Sequence, residues 1–301
     1  MRKLSRRAAS IALAAAMLFT TARVSQKKVE AASTGKLSVT GYQDYNDAQK
    51  ILKEVNKYRK KNGRKALKMD RGLTNSAIMR GFETTIYIPE TSPHRRPNGK
   101  LSKSINKKII YENCAQSAGT TPKQIVKGWI NSSTHRKGLL LSNAKSVGVA
   151  AVTVVSRDGY EANTWVLDFS SSKAKKVEKS KARKQFTKNI VTKNSYLKKS
   201  YLKLDSRYGT IWETEKMQMK PTYQGKMMKE YGVYPTVINT SSFTSWKSSN
   251  PSVASVDSNG RITGNKAGTA TISAKLKTGT KITISKKIKV VPTNQQIDPW
   301  E

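Results

Sequence analysis

Residues 129–136, Trp-Ile-Asn-Ser-Ser-Thr-His-Arg, mark the point where the sequence changes from helical to strand periodicity. Before this stretch, Thr121-Pro122 supplies a helix cap followed by proline at the first helical position. After it, Ser146–Val155 is a β-branched run, and a turn at residues 157–159 joins it to a second strand at Tyr160–Phe169. Helices gathered early and strands gathered late predict an α+β layered domain.

Two further helices are predicted upstream, within a domain that spans residues 43–172. One begins at Tyr45 and carries an apolar stripe at three- and four-residue intervals until Gly63 ends it. The other runs from about Asp70 to Thr85 and has Glu83 near its end. Prolines then predict an irregular loop, and His94 lies in it.

The chain contains only two histidines, His94 and His135, and each is followed by an arginine. Glu112 lies between them in the sequence. Histidine titrates near neutral pH and is the commonest metal ligand. We therefore expect one cleft formed by His94, Glu112 and His135, provided that the fold brings them together.

Three kinds of chemistry are open to these residues. Two imidazoles and a carboxylate can form the first coordination shell of zinc and leave a position for water. Glu112 and one histidine can instead act as a metal-free acid–base pair. The structural alternative is a hydrogen-bonded network that only orders the cleft. Their spacing is no metal signature like His-Glu-x-x-His, so only the fold can decide.

The N-terminus has the pattern of a secretory signal peptide over residues 1–31. Arginines and a lysine precede the apolar stretch Ala8–Ala22, which is short for a membrane span. Cleavage is expected before Ala32 or near Ala22, and an uncleaved anchor is the alternative. No later segment approaches the length of a membrane span. We expect a secreted protein, with association to a cell wall as one form of this location.

A single cysteine, Cys114, excludes an internal disulfide, so hydrophobic cores must stabilise the domains. The formal net charge is +38. Residues 173–203 carry twelve Lys or Arg and one acidic residue, Glu178. Such a run resists folding through like-charge repulsion, so residues 173–185 are predicted to be a basic linker.

This charge favours an anionic partner, such as a cell-wall polymer or surface. Aromatic residues do not alternate with the Lys and Arg residues, so no specific nucleic-acid module is expected. Residues 186–293 contain short alternating strands and turns, which predict an all-β sandwich.

The first domain resembles the CAP superfamily of cysteine-rich secretory, antigen-5 and pathogenesis-related proteins, in its bacterial branch. The blocks that carry the resemblance are Val55–Arg59, Ala77–Glu83, His94–Gly99, Glu112–Asn113, Trp129–Arg136, Val147–Val149 and Trp165–Phe169. The resemblance implies an α-β-α sandwich and a central cleft with two histidines and two acidic residues. His94, Glu112 and His135 take three of these positions.

The fourth position, an acidic residue in eukaryotic members, is Ser132 in this chain. Glu83 is a candidate to approach the cleft from the second helix. Arg95 and Arg136 are candidate forks for a carboxylate or phosphate ligand, with simple solvation as the alternative.

Residues 186–293 resemble the bacterial immunoglobulin-like group 2 domain, and Trp246–Ala274 carries the resemblance. The resemblance implies a spacer or adhesion module. The function expected from both resemblances is binding of a metal, polar ligand or partner protein in the cleft. Two rivals remain: a metal-assisted extracellular hydrolase using the same residues, and a charge-driven wall adhesin with a vestigial cleft.

Overall fold

The computed structural model describes residues 34–86, 94–157, 159–205, 209–277 and 281–294. The predicted signal peptide at residues 1–31 lies outside them. Within these residues, no helix has the combination of length and apolar character needed to span a bilayer.

The first part of the chain is built on one mixed sheet. Its strands are β1 (Thr34–Asp44), β2 (Lys68–Met69), β3 (Tyr111–Ser117), β4 (Ser146–Val155), β5 (Glu161–Ser170) and β6 (Arg183–Lys193). They lie in the order β3-β5-β4-β1-β6, all antiparallel, and β2 pairs in parallel with β4. β3 is therefore an edge strand, and residues on either side of it can border a cleft.

Four helices cover the two faces of this sheet. They are α1 (Tyr45–Lys61), α2 (Arg71–Ile86), α3 (Pro122–Asn131) and α4 (Ser133–Leu139). Alternate residues of β4 belong to different cores: Val149 packs with α1, α3 and α4, whereas Val152 packs with α2. This alternation is what a strand buried on both faces requires, and it produces the expected α-β-α sandwich.

Local sequence signals determine where these helices begin. The Asp44 carboxylate accepts a hydrogen bond from the backbone N–H of Asp47 and caps α1. Thr121 and Gln124 form a reciprocal capping box at α3, with Pro122 at its first position. Ser132 follows α3 in an extended conformation, so the chain turns there and α4 brings His135 back toward the sheet.

The sheet includes segments on both sides of the predicted domain limits. β1 begins nine residues before the predicted boundary at residue 43 and contains it, and β6 contains the predicted boundary at residue 186. All eleven residues of β6 pair with β1, from Thr34–Lys193 to Asp44–Arg183. The end of the predicted basic linker is thus a strand, which Leu37 and Ile190 anchor in the core next to α2.

The remaining strands form three small sheets. They are β7 (Leu202–Asp205), β8 (Thr210–Trp212), β9 (Lys216–Gln218), β10 (Lys220–Tyr223), β11 (Thr236–Val237), β12 (Phe243–Ser248), β13 (Ala254–Val256), β14 (Arg261–Gly264), β15 (Gly268–Leu276) and β16 (Thr283–Val291), with one short helix, α5 (Lys226–Glu230). The sheets have the orders β11-β10-β7, β12-β15-β16-β8 and β13-β14-β9. The predicted fold class, α+β followed by all-β, is confirmed.

The all-β part is hydrogen-bonded to β1. Asn239 donates from its side chain to the hydroxyls of Ser38 (3.1 Å) and Thr40 (2.9 Å), and its backbone N–H donates to Ser38 O. The Thr236 hydroxyl donates to Thr85 O at 2.8 Å. β1 is thus bonded to β6 along one edge, and along the other it is bonded to β4 near its end and to the all-β region at Ser38 and Thr40.

Candidate functional site

Arg80 of α2 is at the centre of a buried ionic network. Its Nε donates to Oε2 of Glu112 (2.8 Å) and its Nη2 to Oε1 of the same carboxylate (3.2 Å). Its Nη1 donates to Oε2 of Glu83, one helical turn away, at 3.0 Å. All three side chains are almost inaccessible to solvent. Two carboxylates around one guanidinium offset the desolvation cost that an unpaired buried charge would carry.

A second arginine fixes the loop that follows α2. Arg96 donates from Nε and Nη2 to the carboxylate of Glu83, with a shortest distance of 2.7 Å, and from Nη1 to the Ser104 hydroxyl. Glu83 therefore does approach this region, but both of its oxygens are held by arginines.

His94 lies at the open side of this network. Its Nδ1 is 2.9 Å from Oε1 of Glu112, and its side chain is 35% exposed. Because an ionised carboxylate only accepts, Nδ1 carries the proton of this bond. Burial raises the pKa of Glu112, but the hydrogen bond from His94 and the charge of Arg80 outweigh it, so the pKa lies below its ordinary value.

His135 lies on the other side of β3, at the start of α4. Its Nδ1 is hydrogen-bonded with the Ser132 hydroxyl at 2.9 Å, and its backbone oxygen accepts from the Asn113 side chain at 2.9 Å. Burial, and then the positive charge that His94 can carry, lower the pKa of His135. The structure thus places Glu112 in direct contact with His94 and brings His135 within electrostatic range of His94.

Ser132, which replaces the second acidic residue, orients the second histidine. A hydroxyl can donate or accept, so it holds the ring without adding a charge. The two candidate arginine forks do not point to a shared ligand position: Arg95 donates to Gly99 O and Arg136 to Ile130 O, and both are exposed. Each of these bonds is to a backbone oxygen of the same or the preceding element.

Asp168 is a buried acid that the sequence reasoning did not single out. It is the register partner of Glu112 on β5, and neither of its carboxylate oxygens has a hydrogen-bond partner among the described residues. Burial and the negative charge of Glu112 raise its pKa well above the ordinary value. The sequence could have predicted its position, because Asp168 is two residues after Val166 and therefore lies on the same face of β5, the face that α2 covers.

Arg80 and Cys114 were also missed as members of the site. Arg80 lies three residues before Glu83 on the same helix, a spacing that allows an ion pair. Ligand atoms of Cys114, Glu112 and His94 lie within 4.8 Å of one another. Burial raises the pKa of Cys114 to about 12, so the thiol is protonated at neutral pH.

The zinc set predicted from the sequence competes with bonds that Glu112 already makes. Zinc takes a lone pair from a neutral imidazole, a carboxylate oxygen or a thiolate. Oε1 of Glu112 accepts from Arg80 and His94, and Oε2 accepts from Arg80. Glu112 is therefore a poor third zinc ligand beside the two imidazoles as long as these bonds persist.

Comparison with known proteins finds a family match in each of two segments of the chain. Residues 52–169 match the model of the family described as "CAP: Cysteine-rich secretory protein family", and residues 224–288 match "Bacterial Ig-like domain (group 2)". The uncharacterized protein YkwD of Bacillus subtilis (strain 168) is 31% identical over 130 residues, which cover 42% of this chain and 48% of that protein. The chain thus spans about half the length of the curated relative it matches.

Two solved structures also align with the chain. An extracellular protein containing an SCP domain from Bacillus anthracis str. Ames aligns with a TM-score of 0.32 and 19% identity, over 42% of this chain and 41% of that one. An outer surface protein from Borrelia burgdorferi aligns with a TM-score of 0.33 and 18% identity, over 43% of this chain and 98% of that one.

Proposed function

From a CAP domain at residues 52–169 and a bacterial Ig-like domain of group 2 at residues 224–288, we propose that the chain is an extracellular binding protein. Its cleft at His94, Glu112 and His135 holds a polar ligand, and the Ig-like domain acts as a spacer or surface contact. The signal-peptide pattern of residues 1–31 supports this location, and the +38 charge suits association with an anionic surface.

The observation that carries the proposal is the fixed tautomer of a partly exposed imidazole. The buried Arg80 donates hydrogen bonds to the carboxylate of Glu112, and that carboxylate accepts a hydrogen bond from Nδ1 of His94. In the neutral ring, Nε2 is then the acceptor nitrogen. A group that is oriented before the ligand arrives loses less entropy on binding, as expected for a recognition site.

The same network is unfavourable for the two catalytic alternatives. A general base needs a pKa near the working pH, whereas the guanidinium and the imidazole lower that of Glu112. A metal-assisted mechanism built on the predicted set would use Glu112 as a ligand, and Arg80 already engages that carboxylate. Binding requires neither, since the imidazoles can exchange hydrogen bonds with a polar ligand as they stand.

The two histidines allow a direct test, because they are the only imidazoles in the chain. Protein labelled with ¹⁵N in histidine gives signals from His94 and His135 alone. We expect at least one of four metal-free probes, each added separately, to shift both sets of signals in a saturable manner. The probes are acetate, inorganic phosphate, glycinamide and N-acetylglucosamine.

The control variants are His94→Ala, which should abolish the response at His135, and Arg95→Ala, which should preserve it. ZnCl₂ is the competing probe. Stoichiometric zinc binding that perturbs both rings, with no response to any metal-free probe, contradicts the proposal and favours a metal site. A response that survives in His94→Ala contradicts the shared cleft.

A further inference from the structure

One sheet of the all-β region has a strongly asymmetric charge. The strands β12, β15, β16 and β8 contain five lysines and neither aspartate nor glutamate. Between positions 209 and 294 the acidic residues lie outside these four strands, at Glu213, Glu215, Glu230 and Asp257. Three of these carboxylates, those of Glu213, Glu215 and Asp257, accept hydrogen bonds from backbone N–H groups.

Strand alternation places four of the lysines on the solvent side. Ile272 of β15 and Ile288 of β16 are buried, and the residues between the buried positions point outward. We call this outer surface the lysine face. Its members are Lys247, Thr269, Thr271, Ser273, Lys275, Thr283, Ser285, Lys287 and Lys289, and all but Ser273 are exposed.

Each lysine of this face lies opposite a hydroxyl. The register pairs Lys247 with Ser273, Lys275 with Thr283, Lys287 with Thr271 and Lys289 with Thr269. This spacing avoids direct like-charge pairs. It also produces a grid in which ammonium groups alternate with hydroxyl groups, and every member can donate a hydrogen bond.

Protection of a sheet edge does not account for these lysines. Charged residues on edge strands block pairing with another chain, but β15 and β16 are the two central strands of this sheet. No ion pair within the described part of the chain involves Lys247, Lys275, Lys287 or Lys289. Four unpaired cations on one open surface favour an anionic partner.

We propose that the lysine face binds a phosphodiester polymer of the cell surface. Lysine binds phosphate as a point charge, whereas planar recognition of a carboxylate favours arginine, and this face has none. The one exposed aromatic side chain of the described strands of this sheet is Trp212 of β8. Single-stranded nucleic acid is bound by several aromatic residues on which successive bases stack, so one tryptophan at the edge of the sheet disfavours it as the partner. The inference rests on the proposed extracellular location but not on the cleft.

The test compares two triple variants of the full chain. Lys275→Gln, Lys287→Gln and Lys289→Gln together remove charge from the lysine face. Lys53→Gln, Lys57→Gln and Lys60→Gln remove the same charge from exposed positions of α1. Affinity for inorganic polyphosphate is measured as a function of salt, with circular dichroism to show that both variants are folded.

We expect the variant of the lysine face to bind polyphosphate at least about tenfold more weakly. The slope of the logarithm of its binding constant against the logarithm of salt concentration should become shallower by about 1 for each lysine removed. The α1 variant should change affinity less than about twofold. Equal losses in the two variants overturn the proposal, because binding is then a property of net charge.

Polygalacturonate and a single-stranded DNA oligonucleotide serve as comparison ligands. Tighter binding of polygalacturonate than of polyphosphate overturns the assignment to phosphate groups, and tighter binding of the oligonucleotide overturns the assignment to a surface polymer without bases. Weaker binding of both supports the proposal. None of these measurements involves His94 or His135, so failure here leaves the proposed cleft function untouched, and the converse also holds.

Discussion

Glu112 and Asp168 are register partners on β3 and β5, and both are buried. The carboxylate of Glu112 accepts hydrogen bonds from Arg80 and His94, whereas the carboxylate of Asp168 has no hydrogen-bond partner among the described residues. Their pKa values consequently shift in opposite directions. Arg80 and His94 stabilise the charge of Glu112, whereas burial and the charge of Glu112 disfavour ionisation of Asp168. The surroundings thus favour the ionised form of Glu112 and the protonated form of Asp168.

Replacing Asp168 should raise stability in a pH-dependent manner. The folded-state pKa is above the unfolded one, so between the two values the native protein binds more protons and becomes less stable as pH rises. Asp168→Asn removes this loss. We expect its Tm to approach that of the wild type near pH 4 and to exceed it increasingly toward pH 8. A difference in Tm that is constant with pH would show that Asp168 does not titrate in this way.

Removing Arg80 should be strongly destabilising. Arg80→Met leaves Glu83 with one cationic partner and Glu112 with His94 only, so we expect the free energy of unfolding to fall by about 3–5 kcal/mol. Urea denaturation measures this change. The matched control Arg95→Met alters an exposed arginine in the adjacent loop and should change stability by less than about 0.5 kcal/mol. Similar effects of the two substitutions would contradict the central role of Arg80.

The His94→Ala variant should raise the pKa of His135. It removes the repulsion from His94 but not the burial, which is the larger cause, so the pKa rises toward its ordinary value without reaching it. The variant has a single histidine, and one NMR titration curve gives the result. Arg95→Ala should leave this pKa unchanged. An unaltered value in His94→Ala would mean that the two rings do not interact.

Two glycines in neighbouring helices form a matched pair for substitution. A Cβ added at Gly138 of α4 would lie 2.7 Å from Asn113 Oδ1 and 2.8 Å from the Tyr111 ring, whereas at Gly128 of α3 nothing lies within 4 Å. We expect Gly138→Ala to destabilise by about 1–3 kcal/mol and to shift the His135 signals, because α4 must move away from β3.

Gly128→Ala should instead stabilise by up to about 1 kcal/mol, as alanine does in an open helix interior. Thermal unfolding measures both variants. If Gly138→Ala were as stable as Gly128→Ala, the close packing of α4 on β3 would be incorrect.

The sequence predicted the elements of the first domain because its periodicities are local. The cap at Thr121, the helix that ends before Ser132 and the strands on either side of residues 157–159 all follow from neighbouring residues. The pairing of β1 with β6 could not be predicted in the same way. Its partners are separated by about 140 residues or more. The lysine-rich composition indicated a solvated linker at residues 173–185, which includes the start of β6, and the rest of β6 was assigned to the later β-sandwich.

The sequence likewise predicted some residues of the candidate site and missed others. His94, Glu112 and His135 could be proposed because histidine is so rare in this chain. The role of Arg80 could not, because an arginine on a helix in a chain with 57 Lys and Arg residues predicts solvent exposure. Only the tertiary contact between α2 and β3 shows that this charge is buried and satisfied.

The ladder between β1 and β6 determines how the protein would respond to tension. Thr34 and Lys193 are partners at one end of it, so the polypeptide enters and leaves this pair of strands at the same point. A pull between the two adjoining segments would therefore load the rungs one after another, as in unzipping, instead of all at once. A protein held through its later strands and pulled from the segment before Thr34 would yield at low force between β1 and β6, before the helices α1–α4 are disturbed.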